Sequence, residues 1–231
     1  MDGIAWVTAA SATFVATHFI LSHPLRRPIV AAVGEGPFSG IYSVAALASF
    51  VWMILAFRAA PVSAFVWPVG DGLWAVVTLV MLVASILLMG SFIRNPAFPT
   101  GGAATVLPAE ARGVYAITRL PMLWSFALWG VCHIAIFPVA KNIVVASAII
   151  VLALIGGALQ DQKKAQLLPA FWPVWQSKTS YWPFAAIVAG RARLSALGWH
   201  ATAGGIVIWL VATWAHIPLS GWPAGIWRWV R

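Results

Sequence analysis

Six long apolar runs, at residues 4–21, 41–57, 73–93, 121–139, 143–159 and 199–216, constrain this chain more than any motif in it. Each approaches the ~20 residues that carry an α-helix across ~30 Å of hydrocarbon at 1.5 Å rise per residue. Of its 231 residues 62% are hydrophobic and only 8% charged, against about 25% charged in soluble domains. One water-soluble core could not hide that much apolar surface. The expected fold is therefore all-α: a polytopic membrane helix bundle of six transmembrane helices, with residues 1–231 as a single domain.

The formal charge of +9 raises nucleic acid or anionic lipid as partners, and its distribution separates the two. With six spans, Arg26, Arg27, Arg94, Arg112, Arg119, Lys163, Lys164, Lys178, Arg191 and Arg193 fall on one side, and Arg58, Lys141, Arg228 and Arg231 on the other. Ten against four is the positive-inside pattern, which puts the basic loops in the cytoplasm and both termini on the outer, periplasmic side of a bacterial inner membrane. The bilayer is the expected partner. Nucleic acid is excluded, since no soluble segment is long enough to present a basic face.

The single cysteine, Cys132, excludes an intramolecular disulfide framework and an all-cysteine metal site within one chain. The first run lacks a basic n-region and a small-residue cleavage pattern before Ser22-His23-Pro24, so it reads as a retained helix rather than a secretory signal.

Inside the stretch 112–137, RGVYAITRLPMLWSFALWGVCHIAIF, sits His133. A neutral apolar helix has no structural need for an imidazole, so such a residue is a functional question by default. Met122, Phe126, Trp129, His133 and Phe137 recur at helical spacing and place the histidine on an aromatic face. Two readings follow: a histidine hydrogen-bonded to a neighbouring helix, or an axial ligand of haem, which favours neutral imidazole and flat apolar surroundings. In the first run His18 shares a stripe with Phe14 and Leu21, with Ser11 further along, and is the first choice of partner. By helical rise the two histidines differ in depth by roughly 8 Å, which a cofactor between tilted helices could bridge. His200 and His216, nearer the two interfaces, are the alternatives for the second ligand. His23 reads as a solvated loop histidine.

Elsewhere the chain reads as scaffold and interface. His23-Pro24-Leu25-Arg26-Arg27-Pro28 ends the first helix with two arginines at headgroup level. Residues 34–37 form a turn before the second span, and Arg94-Asn95-Pro96 closes the third, followed by an irregular loop over 99–108. Asp161, at the exit of the fifth span beside Lys163 and Lys164, is expected to pair with a lysine or cap the helix and to contribute little. Interleaved prolines and tryptophans over 169–190 argue against a regular span and for a segment in or dipping into the interface, with 180–193 as a re-entrant lid. Trp222, Trp227 and Trp229 beside Arg228 and Arg231 suit an outer interfacial anchor.

Taken in order, the His18 helix with Arg26, the Arg94-Asn95-Pro96 exit, GVYAITR followed by PMLW, Trp129 to His133, the stretch 157–164 and SYWPFAAIVAGR over 180–191 resemble the NnrU family of bacterial membrane proteins, to which the plastid and cyanobacterial 15-cis-ζ-carotene isomerase is related. The resemblance covers nearly the whole chain. It implies haem b held by histidines that align with His18 and His133, and a link to nitrite and nitric oxide metabolism through a redox partner. The alternative it carries is a haem-dependent isomerase of a polyene in the bilayer; a cofactor-free structural membrane protein is the third possibility. Two positions depart from the pattern. Leu120 stands where the family has histidine in Arg-His-Pro, and Gly130 where the isomerase has a cysteine three residues before its second ligand.

Overall fold

The computed structural model of the chain describes residues 2–93, 95–96 and 110–230. Among them all regular structure is helical: α1 (Gly3–Ser22), α2 (Arg26–Val33), α3 (Glu35–Ala59), α4 (Asp71–Gly90), α5 (Val114–Ile117), α6 (Pro121–Ile136), α7 (Ala140–Leu167), α8 (Trp172–Lys178), α9 (Ala185–Val188), α10 (Trp199–Ser220) and a 3₁₀ turn at Gly225–Arg228. Five helices, α1, α3, α4, α7 and α10, are long and apolar enough to cross a membrane. The sixth expected span, 121–139, is the apolar but shorter α6, whose 16 residues extend ~24 Å at 1.5 Å per residue. Arg94 and the loop expected over 99–108 lie outside the described residues.

Two stretches differ from the expected boundaries for local reasons. Residues 35–37, expected as a turn, form the first turn of α3, which makes it 25 residues long. Gly34 breaks the chain at φ 87°, Glu35 complements the positive helix end, and Pro37 falls in the first turn, where no intrahelical N–H bond is lost. The loop after α1 contains a helix of its own, α2, with Pro28 in its first turn.

Contacts gather the chain into two compact units, Met1–Gly70 with Gly130–Gly156 and Asp71–Trp129 with Gly157–Arg231, so that α6 and α7 each pass from one to the other. In the first unit, Asp2 caps α1 by accepting from Ala5 N–H at 2.7 Å, the usual way to satisfy an orphan donor at a helix start. One stripe of α1, Val7, Ala10 and Phe14, packs with Met53, Ala56 and Ala60 at the end of α3 and with Val145 of α7. Lys141 is buried at the start of α7, where its ammonium donates to Phe57 O at 3.1 Å and Ala60 O at 2.7 Å. Counted in the sequence as an outer topological charge, it instead closes the last carbonyls of α3, a favourable place for a cation.

In the second unit α4 and α10 meet at Gly205, where a Cβ would stand 2.6 Å from Ile86 Cα; only a glycine lets two backbones approach so closely. Leu87, Val114, Tyr115, Ile117, Trp172, Trp175 and Ala201 form its core. The C-terminal tail is fastened by Arg228, which donates from Nε and Nη2 to Asp71 Oδ1 at 3.0 and 2.8 Å, and by Trp227 Nε1, which donates to Thr213 Oγ1 at 3.2 Å.

Candidate functional site

His18 and His133 both belong to the first unit, whereas His200 and His216 belong to the second. His18 continues the buried stripe of α1 that contains Val7, Ala10, Ser11 and Phe14, so it faces protein rather than lipid, as ionisable groups in spans generally do. Its Nδ1 lies 2.7 Å from Phe14 O. A carbonyl can only accept, so Nδ1 carries the hydrogen, and in the neutral ring Nε2 keeps its lone pair. Phe14 packs edge-on at 4.5 Å and Tyr42 of α3 at 5.7 Å between ring centroids, which fixes the imidazole plane. From Tyr42 the aromatic contacts continue through Phe38 at 6.3 Å to the guanidinium of Arg26, 5.5 Å from the Phe38 centroid. Arg26 itself is held by both Glu35 oxygens at 2.9 Å. On the same stripe Ser11 is buried and its hydroxyl has no hydrogen-bond partner among the described residues.

His133 sits half-buried in the last turn of α6. Its carbonyl accepts from Phe137 N–H at 3.0 Å and from Asn142 Nδ2 at 2.8 Å, and Asn142 also donates to Phe137 O at 2.7 Å. Pro138 stops the helix, and the amide of Asn142 satisfies carbonyls that would otherwise be orphaned at its end. One turn earlier Gly130 presses on α7: a Cβ there would lie 2.6 Å from Ile150 Cγ1 and 2.9 Å from Ala146 O. Position 130 thus has no room for a side chain. The expected aromatic face is only partly enclosed, since Phe126 is 41% exposed. Among the described residues no three His, Cys, Asp or Glu side chains cluster as a metal site; haem needs only two.

The second unit holds a buried polar network that the sequence did not reveal. Arg119 Nε donates to Asp161 Oδ2 at 3.0 Å, with both side chains about 10% exposed, and Trp172 Nε1 donates to Asp161 Oδ1 at 2.6 Å. Arg119 Nη1 reaches Thr179 Oγ1 at 3.3 Å, and its backbone N–H donates to Ser180 O at 2.8 Å. Thr118 Oγ1 and Trp124 Nε1 both donate to Tyr181 O, at 2.8 and 2.9 Å. Arg191 Nη1 gathers the carbonyls of Gln176, Ser177 and Thr179 at 3.2, 3.0 and 2.9 Å. Burial lowers the Arg119 pKa, opposed by the charge and hydrogen bond of Asp161 and reinforced by Arg191. Burial, followed by the Asp161 charge, raises that of Tyr181.

The expectation for Asp161 is thereby corrected. It pairs with an arginine 42 residues away and not with its neighbouring lysines, because Arg119 and Trp172 reach it inside the fold. Arg119, read as a topological charge, is likewise internal. Leu120, buried beside them, has its Cδ1 3.4 Å from where a Gly157 Cβ would stand, near Leu123 and Tyr181. Position 120 is thus a buried packing position beside Gly157.

Thr118, Arg119, Asp161, Ser180, Tyr181 and Arg191 of this network fall within GVYAITR, the 157–164 stretch and SYWPFAAIVAGR, and the protein-family model described as "NnrU protein" matches residues 6–224. The chain belongs to the NnrU family. No curated protein and no solved structure matches it. Within the NnrU match lie His18 and His133 as well as the whole Arg119–Asp161 network, so the family region includes both the histidine-bearing unit and the polar one.

Proposed function

We propose that this NnrU membrane protein holds haem b with His18 and His133 as axial ligands, in a bacterial cytoplasmic membrane, and serves nitrite and nitric oxide metabolism. The observation that carries the reading is the His18 ring: its Nδ1 is committed to Phe14 O at 2.7 Å, which leaves Nε2 as the ligating nitrogen. Metal-bound histidines are held in this way, by a second hydrogen bond that fixes tautomer and ring plane. Phe14 and Tyr42 supply flat apolar walls at 4.5 and 5.7 Å, and Asn142 secures the helix end that carries His133. The nitrogen-oxide setting follows from the family resemblance. Bound haem supplies a one-electron ferric/ferrous couple. The protein's part is to orient the two imidazoles.

Protein purified from cells with ample haem supply should yield about one haem b per chain, since two axial histidines hold one iron, by extraction and haemochrome assay. His18→Ala and His133→Ala should each reduce that content strongly, and His200→Ala should leave it unchanged. Colourless wild-type protein would overturn the reading.

A further inference from the structure

The segment that follows the buried network turns a row of apolar side chains outward: Trp182 is 61% exposed, Phe184 50%, Val188 87%, Leu194 66% and Trp199 76%. A loop in water with such a surface would still leave many backbone groups to solvent. Here many of them are satisfied internally. Phe184 N–H donates to Ile117 O at 2.7 Å, Val188 N–H to Phe184 O at 2.9 Å, Gly190 N–H to Ile187 O at 3.0 Å, and Arg191 and Ala192 N–H both to Ala186 O, at 2.9 and 3.1 Å. The Ser180 hydroxyl adds two more bonds, donating to Trp182 O at 2.8 Å and accepting from Ala186 N–H at 2.9 Å. Internal satisfaction is the condition for irregular backbone at membrane depth. Phe184 also adopts φ 65°, which no other described non-glycine residue shares at positive φ; holding a bulky aromatic there is unfavourable, and the Ile117 bond keeps it in place.

The charge that flanks this segment in sequence has one sign. Lys178 precedes it, Arg191 and Arg193 follow it, and no acidic residue occurs after Asp161 in the whole chain. Arg191 is partly occupied by the carbonyls of Gln176, Ser177 and Thr179, while Arg193 is exposed. An apolar tip with a basic rim fits a leaflet with anionic headgroups above its acyl chains.

We propose that residues 182–188 form a preformed wedge that inserts into the acyl edge of the bilayer, with Arg193 binding the phosphates of anionic phospholipids. The wedge is rigid before it meets lipid, because Thr118, Arg119 and Ile117 hold its base. It therefore orders no backbone on insertion, and lipid binding by this surface depends on headgroup charge.

The test uses the full chain reconstituted in vesicles, with Val188→Cys, or Trp182→Cys if that variant folds poorly, labelled with an environment-sensitive fluorophore. Buried Cys132 makes wild-type protein the labelling background. A nitroxide near the headgroup end of the acyl chain should quench the label, consistent with a depth of ~5–10 Å, and aqueous iodide should not. Phosphatidylglycerol carrying that nitroxide should quench about twofold more than phosphatidylcholine carrying it, a fraction of what a nearby basic residue can exert. Arg193→Gln should remove the difference. A label reached by iodide and indifferent to nitroxide lipid, equal quenching by both headgroups, or a signal that follows the protein-to-lipid ratio, as a contact between copies would, overturns the proposal.

Discussion

Arg119 and Asp161 sit together with little access to solvent, and breaking such a pair from one side differs from removing it. Arg119→Ala leaves the Asp161 carboxylate, among the described residues, with the Trp172 indole as its hydrogen-bond donor, and Asp161→Ala leaves a buried guanidinium with Thr179 Oγ1 but no counter-charge. Each should cost about 3–5 kcal/mol of stability, the range for stranding one member of a buried pair. Replacing both, as Arg119→Met with Asp161→Leu, should recover most of that loss. The residue is the Trp172 N–H deprived of its acceptor, about 1–3 kcal/mol. Thermal unfolding in a mild detergent checks the order of the three variants. Equal melting of the single variants and wild type would mean that the network contributes nothing.

At the scale of elements, α4 and α10 depend on close backbone approach. Gly205→Ala would place a methyl 2.6 Å from Ile86 Cα and 2.8 Å from its nitrogen, where nothing can yield without moving a helix. The expected cost is about 1–3 kcal/mol. Gly204→Ala is the control: its methyl would meet Met89 Cε at 3.0 Å, the free end of a flexible side chain that can rotate away, so its stability should stay near that of wild type. Unfolding by a denaturing detergent, read through helicity, compares the two. Helices were also where the sequence was most legible. Runs of apolar residues located α1, α4, α7 and α10 because a span needs only length and hydropathy. The beginning of α3 was missed because Gly34 to Pro37 carries turn chemistry that also starts helices. Residues 169–190 were correctly denied a regular span, and they hold only the short α8 and α9. The Arg119–Asp161 pair was invisible for another reason. Its members are 42 residues apart on different elements, and no periodicity links them, while Lys163 and Lys164 offered a nearer partner in sequence.

For the whole molecule, the ten-to-four division of basic residues rests on six crossings, and α6 is the helix that decides the number. With α6 crossing, alkaline phosphatase fused at either terminus should be active, since the positive-inside expectation puts both ends outside. A fusion active at one end and inactive at the other would give five crossings and reverse the assignment of the later loops. The candidate haem site was legible only in part. His18 and His133 stand out as imidazoles in apolar helices, but the features that suit His18 to iron, the Phe14 carbonyl and the Tyr42 ring, depend on one helix geometry and on a second helix. The Asn142 clamp on the His133 carbonyl had no sequence signal at all.

The visible absorption spectrum of the purified ferric and ferrous protein tests the central claim most directly. The account predicts a low-spin spectrum of six-coordinate haem b in wild type, converted to a high-spin five-coordinate form or lost in His18→Ala and in His133→Ala. A low-spin spectrum that survives both substitutions unchanged would contradict it.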